Sequence, residues 1–286
     1  MEKYYRFAGL EFAVWLPGHM EFPNERLLAP FAVESVTQPH IFDCQSVDAL
    51  TPPQGACIHN DGGFRVYREG EAQVRYIGAV QEDWANAYLR VTHAGKDHRV
   101  ELKREAYGDE IRAKAVLTAM AVEHLLAQAG GFIFHSSFVA WEDGAILFTA
   151  PSGTGKSTQA ELWKNLRGAR IVNGDRAAVR IQDGQAVAEG VPFAGSSVYC
   201  ENASLPLKAI VYLAQAPETT ISRLGGARAF ARVWEGVSVN VWDPEDMELV
   251  SATVQQVIQS VPVYYLPCTP DETAVAALEQ QLRKQD

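Results

Sequence analysis

Ala145-Ile-Leu-Phe-Thr-Ala150-Pro-Ser152-Gly153-Thr154-Gly155-Lys156-Ser157-Thr158 is the stretch whose reading decides the fold. An apolar run of strand length enters a loop with two glycines, and Gln159 to Leu166 continues with helical character. Strand, phosphate loop and helix in this order are the pattern of a P-loop. The glycines let main-chain N–H groups turn towards phosphate oxygens, and the start of the helix adds partial positive charge. Ser152, Gly153, Thr154, Gly155, Lys156, Ser157 and Thr158 are therefore the expected nucleotide-binding residues. Lys156 suits the outer phosphates, and the Ser157 hydroxyl suits Mg²⁺. One position departs from GxxxxGK[ST]: Ala150 stands where the first glycine belongs. An ornamental helix cap is the bland alternative.

Working outward, the 286 residues suit one large domain or two smaller ones. The net charge of −10, with no basic cluster, excludes a phosphate-backbone partner, so nucleic acid is not an expected ligand. Cys44, Cys57, Cys200 and Cys268 are scattered without metal-site spacing and read as free thiols of a reducing compartment. Neither a signal-type apolar segment nor a run of transmembrane length occurs, which leads us to expect a cytoplasmic protein without a membrane partner.

The chain divides by pattern into a β-rich region, 1–108, and a region 109–286 that holds the loop. In the first, Tyr4–Leu16 is strand-like and broken by Gly9. Two hairpins turn at Glu69-Gly70-Glu71 and Ala94 to Asp97, and 51–63 reads as a loop. His59 and Asp61 fall in that loop and read as solvated; the region as a whole is expected to serve as an acceptor- or partner-binding module. Helical spacing of apolar residues predicts a helix over Asp109–Gln128, carrying His124 as a structural residue.

Phe132–Trp141 reads as one strand that turns at Glu142-Asp143-Gly144 into the strand before the loop. Pairing centred on Asp143 places His135 opposite the region of Pro151, at the mouth of the loop, and makes this histidine a candidate site residue. Ala169–Asn173 is a short strand ending in Gly174-Asp175-Arg176. An acidic residue at such a strand end commonly serves the metal or the nucleophile, so Asp175 is the candidate carboxylate. A hairpin about Asp183-Gly184 sets Asp175 opposite Pro192, so the loop from Gly190 to Ser197 returns to the same end. Further on, Leu207–Leu213 and Pro262–Leu266 read as strands, and 227–234, 243–260 and 271–284 as helices. Asp271 and Glu272 read as helix-start residues, and Arg223, Arg228 and Arg232 as surface cations able to reach phosphate.

His135, the loop Thr149 to Ser157, Asn173-Gly-Asp175-Arg176 and Gly190-Val-Pro-Phe-Ala-Gly, in that order, resemble the HPr kinase/phosphorylase catalytic domain and its shorter relatives, including lasso-peptide kinases. The resemblance covers roughly residues 130–286. It implies an α/β fold with a P-loop core of the HPr kinase and phosphoenolpyruvate carboxykinase type, a mixed sheet and flanking helices, preceded by the smaller β-rich region. It also implies transfer of the γ-phosphoryl group of ATP, with Mg²⁺, to a serine hydroxyl. By position, Lys156 and Ser157 would hold phosphate and metal, His135 would be the histidine before the loop, and Asp175 the second of two adjacent aspartates. Gly174 stands where the first of that pair belongs, so Asp175 is left as either base or metal ligand.

The expected activity is thus a phosphotransferase, with Asp175, His135 and Lys156 in catalytic roles and Ser157 and Asp175 at the metal. Its partners would be a nucleotide and a hydroxyl-bearing peptide, protein or small molecule; association into a homo-oligomer is left open. The alternative is a nucleotide-binding regulator without catalysis, favoured by Gly174 in place of an aspartate.

Overall fold

The computed structural model describes residues 1–21, 26–78, 83–108, 113–195 and 197–284. It is a mixed α/β protein that divides into two compact units, Met1–Val122 and Glu123–Asp286. The division falls within the helical stretch assigned from sequence to the second region. That stretch is two helices, since Ala121 adopts a left-handed backbone (φ 48°) between them. Residues 109–112, the expected start of this helix, lie outside the described residues. No described helix is long and apolar enough to cross a membrane.

The first unit is a nine-stranded sheet of β1 (Glu2–Phe7), β2 (Leu10–Trp15), β3 (Ala32–Val33), β4 (His40–Val47), β5 (Ala56–Asn60), β6 (Phe64–Glu69), β7 (Ala72–Gly78), β8 (Ala87–Ala94) and β9 (Asp97–Lys103). Helices α1 (Arg104–Tyr107) and α2 (Ala113–Met120) follow. Both hairpins read from sequence are present as β6–β7 and β8–β9. The loop expected over 51–63 contains β5, a short edge strand with no buried residue and no apolar–polar alternation to betray it. The sheet buries an unusual polar set: His98 contacts both His40 and His93 through ring nitrogens, and Arg90 meets Tyr76 and Glu101.

The second unit begins inside α3 (Val122–Gln128), at Glu123, and builds on β10 (Gly131–His135), β11 (Ser137–Trp141), β12 (Gly144–Thr149), α4 (Lys156–Arg167), β13 (Arg170–Asn173), β14 (Arg176–Gln182), β15 (Gln185–Glu189) and β16 (Ser204–Gln215). It is completed by β17 (Ser222–Leu224), α5 (Gly226–Trp234), β18 (Val237–Ser238), α6 (Pro244–Ser260), β19 (Val263–Cys268) and α7 (Glu272–Leu282). The main strand order is β13-β11-β12-β16-β15-β14-β10-β18, with β12, β16 and β19 parallel. Val250, Val254 and Val257 of α6 pack on one side with Phe132, Phe134 and Leu147; Trp163 of α4 and Val275 and Leu278 of α7 pack on the other with Ile146 and Phe148.

Phe132–Trp141 is two strands rather than one. β10 pairs with β14 and β18, whereas β11 pairs with β12 and β13. The change of partner falls at Ser136, whose N–H donates to the Asp175 carbonyl at 3.0 Å. Asp175 lies at the matching change on the opposite side, between β13 and β14. Pairings His135↔Arg176 and Phe138↔Asn173 share one register, so the two strand pairs form a single bent ribbon joining the ends of the strand order.

Candidate functional site

The loop 150–155 leaves the fully buried β12 and delivers α4 at Lys156. Gly153 (φ 78°) and Gly155 (φ 118°) adopt backbone conformations that L side chains rarely take, and a Cβ at either would project into open space. The loop therefore forms a cradle that side chains would fill. The first N–H groups of α4 have no partner within the helix and face the same end. Lys156 is buried and bends back so that Nζ donates to the Ala150 carbonyl at 3.0 Å. Burial pulls its pKa below the usual lysine range, against the attraction of Asp175. Ala150 thus contributes through its carbonyl, which any residue at that position would supply.

A cavity of about 590 Å³ opens over this cradle. Ser152, Gly153, Gly155, Lys156, Ser157 and Thr158 line it from the loop and α4, and His135, Gly174, Asp175 and Ser197 line it from across. All the sequence-predicted site residues except Thr154 meet there. Thr154 instead borders a second cavity of about 340 Å³ with Pro151, Tyr212, Gln215, Arg232 and Tyr265. Arg232 is held there by Glu235 at 2.8 Å; Arg223 and Arg228 line neither cavity.

His135 reaches the site by a different route from the one expected. The turn after β11 is two residues, Glu142 and Asp143, so β11 and β12 pair one residue out of the expected register and their ladder stops at Ser137↔Phe148. His135 belongs to the other side of the ribbon, beside Arg176. Its carbonyl still accepts the Thr149 hydroxyl at 3.0 Å, which ties it to the end of β12. Its Nε2 lies 3.5 Å from Asp175 Oδ1. That hydrogen bond holds the Asp175 carboxyl below the usual aspartate range; partial burial opposes the shift and Arg176 adds to it. An ionised carboxylate beside an imidazole, facing a buried lysine, can bind a cation or accept a proton.

The Asp183-Gly184 turn pairs β14 and β15 in the register expected, Ala178↔Glu189 through Gln182↔Gln185. Both turn residues have positive φ (50° and 79°), as an Asp-Gly hairpin requires. The following loop lies against Asp175: a Cβ on Gly195 would sit 3.0 Å from the Asp175 Cγ. Ser196, part of that loop in the sequence reading, lies outside the described residues.

Three features escaped the sequence reading. Asn173, fully buried, accepts the N–H groups of Asp175 and Arg176 through Oδ1 and donates through Nδ2 to the carbonyls of Val191 and Phe193. An asparagine two residues before an aspartate is an Asx-turn signal that could have found it. Ser197 packs on Gly174, and Tyr199 donates to Glu161 at 2.7 Å while accepting from Lys164 at 2.8 Å. Away from this site, His124 Nδ1 is 2.9 Å from both carboxylate oxygens of Asp246, which also binds Asn240 and Gln128. Asp243 and Asp271 cap α6 and α7.

Fold and site together define a mixed α/β protein in which a glycine cradle at the start of a helix faces an Asp–His pair across a cavity. The family model described as SynChlorMet cassette protein ScmC matches residues 100–280, and the chain belongs to that family. No curated protein matches the chain. Among solved structures, the HPr(Ser) kinase/phosphatase from Coxiella burnetii is similar over 54% of this chain and 99% of its own, at 11% identity and a TM-score of 0.34. At that level the likeness carries no argument about chemistry.

Proposed function

We propose that this protein is an ATP- and Mg²⁺-dependent kinase that transfers the γ-phosphoryl group to a hydroxyl, with an HPr kinase-type P-loop core. One observation carries the reading: the Asp175–His135 pair and the Lys156–Ser157 start of α4 line a single cavity above a glycine cradle. Phosphoryl transfer asks the protein for positioning and charge stabilisation rather than covalent chemistry, and these groups supply both.

The N–H groups of the loop and of the first turn of α4 hold the phosphates, and Lys156 stabilises charge on the outer ones. Burial disfavours the lysine charge, which makes a phosphate dianion a strong partner when one enters the cavity. The Ser157 hydroxyl would hold Mg²⁺, which would neutralise phosphate charge, and this leaves the Asp175 carboxylate to act as base. Asp175 accepts the acceptor's hydroxyl proton, and His135 fixes the direction of its carboxylate. Asn173 is a positioning residue for both Asp175 and the loop beyond β15. The acceptor is a hydroxyl compound able to enter between Asp175 and the loop.

The test is binding of a fluorescent ATP analogue with and without Mg²⁺, followed by label transfer from γ-labelled ATP to serine-containing peptides and to water. Mg²⁺-dependent binding and turnover that are lost in Lys156→Ala and Asp175→Asn support the assignment. Turnover undiminished in either variant overturns it.

A further inference from the structure

We propose that Ser197 is an internal phosphorylation site, accepting a phosphoryl group within its own chain; this rests on the kinase reading above. Ser197 lines the same cavity as Lys156, Ser157, His135 and Asp175, so it is an acceptor-type hydroxyl already inside the site. Three features hold it there. A Cβ on Gly174 would stand 2.7 Å from the Ser197 Cβ and closer still to its Oγ, so the absence of a side chain at 174 is what admits the serine. The Ser197 N–H donates to the Ala194 carbonyl at 2.8 Å, and its Oγ accepts the Tyr199 N–H at 3.1 Å, which fixes the turn that presents it. The strand-like exit is anchored by an antiparallel bridge between Asn173 and Cys200 and by the Glu201 N–H on the Val172 carbonyl at 3.0 Å.

The outcome is a serine delivered to the Asp175 turn by a stretch of chain running antiparallel to the end of β13. Gly195 of the same stretch packs on the Asp175 carboxylate, so the serine and the proton acceptor share one wall. The Ser197 Oγ attacks the γ-phosphorus of a nucleoside triphosphate. The Oγ–Pγ bond forms, the bond from Pγ to the β,γ-bridging oxygen breaks, the nucleoside diphosphate leaves with that electron pair, and the hydroxyl proton passes to the Asp175 carboxylate.

The experiment uses the full chain, first treated with a phosphatase that is then removed, and incubated with Mg²⁺ and γ-labelled ATP. Intact mass and fragment-ion mapping locate the label, and a fluorescent ATP analogue reports binding in parallel. One phosphoryl group on Ser197, at a first-order rate independent of protein concentration, is the expected result. Label falls to background in Ser197→Ala, whose nucleotide binding and melting temperature show that it is folded, and by at least about a hundredfold in Lys156→Ala. Nucleotide that binds and turns over while Ser197 stays unmodified, or label on Ser196 instead, overturns the internal site and leaves the kinase standing. Absence of nucleotide binding overturns both.

Discussion

The side chain of Asn173 fastens Asp175 to Val191: its Oδ1 accepts the Asp175 N–H at 2.9 Å and its Nδ2 donates to the Val191 carbonyl at 3.0 Å. One buried amide therefore sets both the Asp175 turn and the loop that packs on it. Asn173→Ala removes four hydrogen bonds and strands buried main-chain groups, so it should destabilise the second unit by about 2–4 kcal/mol. A urea midpoint shift measures this, and a loss below about 0.5 kcal/mol would contradict it.

Lys156 serves no core function that an apolar side chain could not serve, because among the described residues its side chain donates to the Ala150 carbonyl of its own loop alone. Lys156→Met should keep the fold and reduce ATP turnover by about 10²–10³-fold, the scale of losing one preorganised charge donor. Melting curves and steady-state kinetics on the same preparation separate the two effects.

Gly174 and Ser197 should behave as a coupled pair. Gly174 is outside the left-handed region, so alanine there costs packing and not backbone strain. Gly174→Ala should lower stability by about 1–3 kcal/mol through overpacking against Ser197. Adding Ser197→Gly should recover most of it, and additive losses in the double-mutant cycle would refute the contact.

The pH response of Asp175 follows from its direction of shift. A carboxyl held below the ordinary value by His135 stays ionised through the neutral range, and loses its charge only as pH falls through that lowered value. A profile of kcat/KM from about pH 5 to 8 should therefore show no acid limb owed to Asp175. A carboxyl ¹³C titration that places the Asp175 midpoint above the ordinary aspartate value would contradict this.

Asp246 carries a stability prediction away from the cavity. Burial pushes its carboxyl up, but His124, Asn240 and Gln128 outweigh burial and hold it below the ordinary value. Its contribution is thus full above the unfolded pKa of about 3.9 and lost as pH falls through the lower folded value. Asp246→Ala leaves His124 and Asn240 facing an empty buried site and should cost about 3 kcal/mol at neutral pH. Denaturant melts at about pH 7 and at about pH 2, above and below the window of loss, check both statements.

Local signals were readable where a single residue type fixes the backbone. The Asp183-Gly184 dipeptide dictated its turn and hence the register of β14 on β15, and Gly153-Thr-Gly155-Lys156 marked the strand-to-helix junction. Pairing decided by distant partners was not readable. Phe132–Trp141 looks uniform because nearly every position is buried, so nothing in its pattern shows that Phe134 and Phe138 belong to different strands. Ala121 breaks its helix without glycine or proline, and β5 is short and lacks the alternation that marks a strand. At the site, Asp175 could be chosen for its place at a strand end and Asn173 carried a local Asx-turn signal, while Ser197 needed three-dimensional neighbours to be noticed.

The bend in the ribbon at Ser136 has a mechanical meaning. Lys156 hangs from one arm of the curled sheet through β12, and His135 and Asp175 hang from the other through β10 and β14. A molecule gripped by Lys156 and Asp175 together would stitch those arms across the gap. Occupancy should then register as slower amide hydrogen exchange along β10 and β14, several strands removed from the loop that does the gripping.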